Sequence, residues 1–334
     1  MATRPAPRFA CAGAGRMGRG IAIAFAYAGH RIALVDLKTR DPAATAALQA
    51  QARSEVEQSL AGLAALGAVT AEQATRIAGR VDYVAAEQAD AALAGAELVF
   101  EAVPETLQAK REVFARLSAC CAADAILAST TSSMSAGELA ALVTQPERFL
   151  NMHWLNPAYV IPVVELSTHA GTAPAVLARA KALLEGIGKL PVVCGDTPGY
   201  IVPRLQALVM NEAARMIEEG AATAEEIDKA TRYGLGLRFA ALGVVEFIDF
   251  GGADILHHAS REMAASIDPA RYQAPAVLAR MVADGHLGLK SGQGFYDHRD
   301  RDIPAYRRDV LLRTLGMLQH AGLWRAAVDD TLSP

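Results

Sequence analysis

Phe9-Ala-Cys-Ala-Gly13-Ala-Gly15-Arg-Met17-Gly18-Arg-Gly20 decides the fold: a short apolar run stops abruptly in a glycine-rich turn. An Ala/Ile-rich helical segment follows, from about Gly20 to Ala28. Arg31-Ile-Ala-Leu-Val-Asp36 is then a second buried-strand pattern, and it ends on an acid. Strand, glycine turn, helix, strand and acid is the order of a mononucleotide-binding βαβ unit.

Each glycine has a physical task in that unit. Gly13 permits the tight turn, Gly15 lets the backbone approach a pyrophosphate, and Gly18 lets the helix pack on the strand. The turn, Met17 included, then offers the free N–H groups and positive dipole end of a helix to phosphate. Asp36 is placed to accept hydrogen bonds from the adenosine ribose hydroxyls and to repel a 2′-phosphate, so the expected cofactor is NAD. Lys38 and Arg40, just beyond, are the counterweight, because two cations there suit a 2′-phosphate.

Outward from this unit, residues 41–78 have helical spacing with few breakers and read as a long helical arm or hairpin. Strand patterns recur at Glu97–Glu101, Ala125–Ser129, Phe149–His153, Val160–Leu166 and Leu190–Cys194, with helical segments between most of them. After Gly195-Asp-Thr-Pro-Gly199 the strand pattern stops, and helices are expected over 201–219, 223–233, 253–265, 275–284 and 306–321. The chain of 334 residues is long enough for two domains. They are expected as a Rossmann-type α/β domain over residues 1–195 and an all-helical domain over 196–334.

Composition excludes several classes of function. The net charge is −4 and the basic residues are dispersed, so neither nucleic acid nor a membrane surface is an expected partner. The four cysteines, Cys11, Cys120, Cys121 and Cys194, have neither zinc-site nor disulfide-framework spacing. The start, Met1–Arg8, is too polar and proline-rich for a signal peptide, and Ile21–Ala28 is too short to cross a bilayer. A reducing, cytoplasmic location is expected. His257 and His258 are adjacent in a helical pattern, so their rings diverge and no metal site is expected.

His153-Trp-Leu-Asn156-Pro157 follows a strand end, where ligand-facing residues collect in open α/β sheets. Glu165 lies within Val160-Ile-Pro-Val-Val-Glu-Leu166, and an acid in an apolar strand is costly unless paired. A histidine opposite it supplies the partner, and the carboxylate then fixes the imidazole tautomer. Such a base can take an alcohol proton while a hydride leaves the same carbon, help worth ~10²–10⁴ in rate. Ser129-Thr-Thr-Ser132-Ser133 at another strand end suits a substrate oxygen, although Ser133 or Ser135 is equally suited to cap a helix.

Together with Glu101-Ala-Val-Pro-Glu105, Asp196-Thr-Pro-Gly-Tyr-Ile201 and Lys290-Ser-Gly-Gln-Gly-Phe-Tyr296, these segments resemble the L-3-hydroxyacyl-CoA dehydrogenase superfamily over nearly the whole chain. The resemblance implies a homodimer held by the helical domain, a small-molecule substrate and a catalytic role for His153, Glu165 and Ser132. It also implies that Asn156 lies by the nicotinamide and that Glu105 and Lys110 line the nicotinamide-ribose side.

Two departures bear on the substrate. Where the superfamily signature Pro-Gly-Phe-Ile-Val-Asn-Arg-Leu carries a substrate-binding asparagine, this chain has Pro203, and Arg204 is the candidate replacement. The arm is lysine-rich in the acyl-CoA enzymes. Here residues 41–75 hold Arg53 against Asp41, Glu55, Glu57 and Glu72, a poor cradle for the phosphates of coenzyme A. Asn156–Leu166 and Gly234-Leu-Gly-Leu-Arg238 are also similar to the branch acting on CoA-free hydroxy acids, which includes L-gulonate 3-dehydrogenase (lambda-crystallin) and L-carnitine dehydrogenase. Arg238 is the candidate partner of a free carboxylate there. Gly288–Tyr296, in contrast, is typical of short-chain 3-hydroxybutyryl-CoA enzymes. A short 3-hydroxyacyl-CoA is the favoured expectation, with a free 3-hydroxy acid as the alternative and a crystallin-like structural protein as the reading from another class.

Overall fold

The computed structural model describes residues 8–325. The start Met1–Arg8, read above as unlike a signal peptide, lies outside the described residues except for Arg8. The chain divides into two compact units, Met1–Val209 and Met210–Pro334.

The first unit alternates strands and helices: β1 (Phe9–Ala12), α1 (Arg16–Tyr27), β2 (Ile32–Val35), α2 (Pro42–Ala65), α3 (Ala71–Ala78), β3 (Val81–Val84), α4 (Ala89–Ala94), β4 (Leu98–Glu101) and α5 (Leu107–Cys120). It continues with β5 (Ile126–Ser129), α6 (Ala136–Ala140), β6 (Phe149–Trp154), β7 (Val163–Ser167), α7 (Pro174–Gly186), β8 (Leu190–Cys194) and the start of α8 (Val202–Glu218). The strands form one sheet in the order β3-β2-β1-β4-β5-β6-β7-β8. All pairings are parallel except β6 with β7.

Period-two alternation sends successive side chains to opposite faces, and each face has its own core. Phe9, Cys11, Leu34, Phe100, Leu150, Met152, Trp154 and Val164 pack with α1, α2 and α7. Ala10, Ala12, Val35, Val99, Leu127 and Phe149 pack with α4, α5 and α6. Burial on both faces explains why these strands read as continuous apolar runs. Each fully buried Phe, Leu or Ile contributes about 1.5–3 kcal/mol.

The arm is a helical hairpin. Asp41 caps α2 by accepting from the Ala44 amide at 2.8 Å, and Thr70 with Gln73 forms a capping box on α3. Only Ala52, Val56 and Leu60 of α2 are buried, a single stripe at four-residue spacing.

The edge strand β3 was not anticipated. Its four residues include Asp82, and only Val81 is buried. The acid is held by Arg31 at 2.6 Å. The strand expected from Val160 starts at Val163 instead. Val160 and Ile161 turn back to donate to the Pro157 carbonyl, and Lys189 Nζ donates to the carbonyls of Ala158 and Ile161.

The second unit is helical: the rest of α8, then α9 (Ala224–Lys229), α10 (Leu237–Ala241), α11 (Val244–Gly251), α12 (Ala253–Ser266), α13 (Pro269–Tyr272), α14 (Ala276–Ala283) and α15 (Ile303–His320). The helix expected over 223–233 is present, changing from α to π winding over Ala230–Gly236. Its small core joins Ala253, Leu278 and Met281. Asp249 is buried and accepts from the amides of Phe295 and Tyr296 and from His298 Nε2, each at 2.9 Å. The segment Lys290–Tyr296 thus wraps a carboxylate. Among the described residues no helix is long and apolar enough to cross a membrane.

Candidate active site

The glycine turn is closed to any larger residue at two points. Gly13 has φ 129°, and a Cβ there would meet the Ala102 carbonyl oxygen at 2.4 Å. A Cβ at Gly18 would meet the Gly13 carbonyl oxygen at 2.0 Å. Gly15 is the N-cap of α1, and its nearest neighbour to a built Cβ is 4.0 Å away, so the space above it is open. Gly13, Gly15, Met17, Asp36, Glu105 and Ser132 all line one cavity of about 530 Å³. A glycine cradle at a helix N-terminus, with an acid at the next strand end, fits the pyrophosphate and ribose of NAD.

Asp36 is buried, and its carboxylate is already engaged. It accepts from the Lys38 amide at 3.2 Å and from Arg40 Nε at 2.7 Å. Lys38 and Arg40 share the cavity wall.

Glu105 organises the serine loop. It accepts from the amides of Ser132 and Ser133 at 3.1 and 3.3 Å, from Ser133 Oγ at 2.9 Å, and from Thr131 Oγ1. Burial works to raise its carboxyl, but the Thr131 hydroxyl, the Lys110 charge and the Ser133 hydroxyl prevail and hold it at about 2. Lys110 does not itself line the cavity. It is 1% exposed, and its ammonium bridges both Glu101 oxygens (2.9 and 2.8 Å) and Glu105 (3.1 Å). A buried ammonium needs such partners, and these consume it.

His153 stands opposite Glu165 in the antiparallel register of β6 and β7. Both are buried, and His153 Nδ1 lies 2.8 Å from Glu165 Oε2. The other carboxylate oxygen accepts from the amides of Ile201 (2.9 Å) and Val202 (2.8 Å) at the start of α8. Glu165 therefore has every partner a buried carboxylate requires, and Nδ1 is the nitrogen that donates to it. Nε2 is left as the acceptor.

Two family models match the chain: the NAD-binding domain of 3-hydroxyacyl-CoA dehydrogenase over residues 8–197, and the C-terminal domain of the same family over residues 199–298. The chain belongs to the 3-hydroxyacyl-CoA dehydrogenase family. It is an NAD-dependent oxidoreductase of the hydroxyacyl dehydrogenase type. It is 36% identical over 293 residues to a 3-hydroxybutyryl-CoA dehydrogenase of Mycobacterium tuberculosis, covering 87% of this chain and 98% of the relative. It is 32% identical over 298 residues to 5-formyl-3-hydroxy-2-methylpyridine 4-carboxylate 5-dehydrogenase of Mesorhizobium japonicum, covering 89% and 92%. The crystal structure of a 3-hydroxyacyl-CoA dehydrogenase from Archaeoglobus fulgidus superposes with a TM-score of 0.75 at 29% identity, covering 95% of this chain and all of that one.

The remaining residues singled out in this dehydrogenase do not line the glycine-turn cavity. Asn156 is exposed and lines a smaller cavity of about 190 Å³ with Arg16, Arg19, Glu55 and Tyr159. Pro203 occupies the first turn of α8, where a helix has no intrahelical use for an N–H, so the helix tolerates it. Arg204 is exposed on that turn. Arg238 belongs to the second unit, where it is exposed with its guanidinium 5.8 Å from the Phe247 ring centre.

Sequence reasoning gave no individual role to Tyr200, which touches the dyad, or to Asn151 and Thr131 around it. Tyr200 stacks on the His153 ring, Asn151 Nδ2 donates to the Met134 carbonyl at 3.0 Å, and Thr131 joins Glu105 to the serine loop. Asn151, at alternate spacing from His153 on β6, was the signal available. Tyr200 and Thr131 are brought in by loops. Among the described residues no cluster of metal-ligating side chains is present.

Proposed function

We propose that this dehydrogenase oxidises the 3-hydroxyl of a short L-3-hydroxyacyl-CoA, such as 3-hydroxybutyryl-CoA, to the 3-oxo thioester. The observation that carries the proposal is the buried His153–Glu165 pair, with Nδ1 committed to the acid. Nε2 takes the proton of the substrate hydroxyl as its carbon gives up a hydride. Glu165 stabilises the imidazolium that results and holds the ring in one tautomer. Ser132 donates a hydrogen bond to the same substrate oxygen. Bound NAD supplies the hydride acceptor. Gly13, Gly15 and Met17 hold its pyrophosphate with Gly18 packing α1 behind them, Asp36 its adenosine ribose, and Glu105 and Asn156 its nicotinamide end. Lys110 acts at one remove, by fixing Glu105.

A CoA-free 3-hydroxy acid is the second reading, and a specific feature favours it. Arg53 lies with its guanidinium 4.5 Å from the Tyr83 ring centre, and Glu55 pairs with Arg19, so the arm offers phosphates little free positive charge. The Mesorhizobium relative is named for a pyridine carboxylate rather than a thioester. On this reading Arg204 or Arg238 receives the free carboxylate.

NADH oxidation with acetoacetyl-CoA, beside acetoacetate and other free 3-oxo acids, tests the choice. Turnover confined to the thioester supports the acyl-CoA reading. Equal or better turnover of a free acid replaces it with the second. Binding of NAD without turnover of either class points to the structural role instead.

We also infer a homodimer. Ile255, Ile267, Leu311, Leu312 and Trp324 of the second unit are each more than half exposed, apolar surface that a partner copy would cover.

A further inference from the structure

We propose that Tyr200 is a positioning residue for the His153 imidazole. Its ring lies face to face with that of His153, with centroids 4.6 Å apart and planes 12° from parallel. The ring is 5% exposed, and its hydroxyl donates to the Thr131 carbonyl at 2.8 Å. Its backbone is left-handed, with φ 46°, a conformation that bulky residues rarely adopt. The next two residues, Ile201 and Val202, donate their amides to Glu165. One short segment therefore touches both members of the pair.

These contacts supply what the carboxylate cannot. The Nδ1–Glu165 bond fixes one point of the imidazole and leaves the ring free to swing about it. A flat aromatic face fixes the plane of the ring. The two together determine where Nε2 points, and a base misplaced by about 1 Å loses as much as ~10² in rate. The hydroxyl extends the arrangement to the oxygen-binding loop, because Thr131 also bonds Glu105, which holds the Ser132 amide. Burial pushes the Tyr200 phenol up, so it stays a neutral donor through the working range. An aliphatic side chain of similar volume would fill most of the space. Only a ring gives the parallel contact, and only a tyrosine among the aliphatic and phenyl side chains adds the tether.

The inference rests on His153 being the base, so His153→Ala is measured alongside. Tyr200→Leu and Tyr200→Phe are compared for kcat, for NADH affinity by fluorescence, for melting temperature, and for the pH profile of kcat/KM. Tyr200→Leu is expected to lower kcat roughly 10- to 100-fold with NADH affinity within about twofold, and to displace the limb of the profile that reports the base. Tyr200→Phe keeps the ring and loses one hydrogen bond, so its kcat is expected to fall only about three- to tenfold. Wild-type kcat and an unmoved profile in Tyr200→Leu would overturn the proposal, as would a loss of activity no larger than the loss of folded protein. Should Tyr200→Leu not fold, a decline of about three- to tenfold in kcat of Tyr200→Phe at unchanged NADH affinity supports the tether, and wild-type kcat rejects it. Full activity in His153→Ala instead removes the base itself, which is a different failure.

Discussion

His153 and Glu165 face each other across the antiparallel pairing of β6 and β7, and their side chains meet at 2.8 Å. The reversed strand accounts for the meeting. Cross-strand partners share a face of the sheet, so an acid at the matching position of β7 must stand beside a histidine near the end of β6. The face they share is the one that carries α4, α5 and α6. The end they share is the one where parallel sheets gather ligands.

Glu165 has two tasks, and two variants separate them. Glu165→Gln keeps the shape but removes the charge that stabilises the imidazolium, so kcat is expected to fall at least ~10²-fold. Glu165→Ala also leaves the part-buried Ile201 and Val202 amides without their acceptor, at a cost up to the about 1–3 kcal/mol of a buried donor. The alanine variant should therefore melt lower than the glutamine variant in thermal denaturation. Equal melting temperatures would remove the amides from the account.

Asp36 governs the choice of cofactor. Asp36→Ala is expected to weaken NADH binding by roughly 10- to 100-fold, the weight of a hydrogen bond to a charged group. It also frees Arg40 from its 2.7 Å bond, so affinity for NADPH should rise relative to NADH. Fluorescence titration with both nucleotides measures the ratio. An unchanged ratio would mean that Asp36 does not contact the ribose.

Glu105 makes stability depend on acid pH. Its carboxyl sits at about 2 in the folded chain, against about 4.3 for an unfolded glutamate. A folded value below the unfolded one contributes stability fully above pH ~4.3, and the contribution disappears as pH falls through about 2. Glu105→Gln should thus be less stable than wild type at pH 7, and the gap should narrow below pH ~4.3. Melting curves across that range test it, and a gap that stays constant down to pH ~2.5 would contradict it.

Much of this was legible in the residues. Periodicity and glycine spacing marked β1, α1 and β2 to within a few residues, because the cofactor cradle leaves no room for a Cβ at Gly13 or Gly18. The His153–Glu165 pairing was legible because an acid in an apolar strand demands a partner. The pairing of Lys110 with Glu101, a second buried acid, was not legible, because the strand position of that acid is a tertiary fact. The edge strand β3 was hidden by Asp82, whose pairing with Arg31, just before the neighbouring strand β2, is a tertiary fact. Tyr200 and Thr131 reach the site from loops, and loop paths are set by long-range hydrogen bonds rather than by any local period.

The helical unit supplies the fourth prediction. Light scattering is expected to give a dimer at working concentration, because Ile255 and Leu312 are each 60% exposed on the single chain. A monomer would leave that surface unexplained.

The central claim, that His153 is the proton acceptor, is tested most directly by NADH oxidation with acetoacetyl-CoA in wild type and His153→Ala side by side. The account predicts a loss of ~10²–10⁴ in kcat with NADH affinity nearly unchanged. If the variant is within tenfold of a wild type that does turn over, the proton goes elsewhere and the mechanism is wrong.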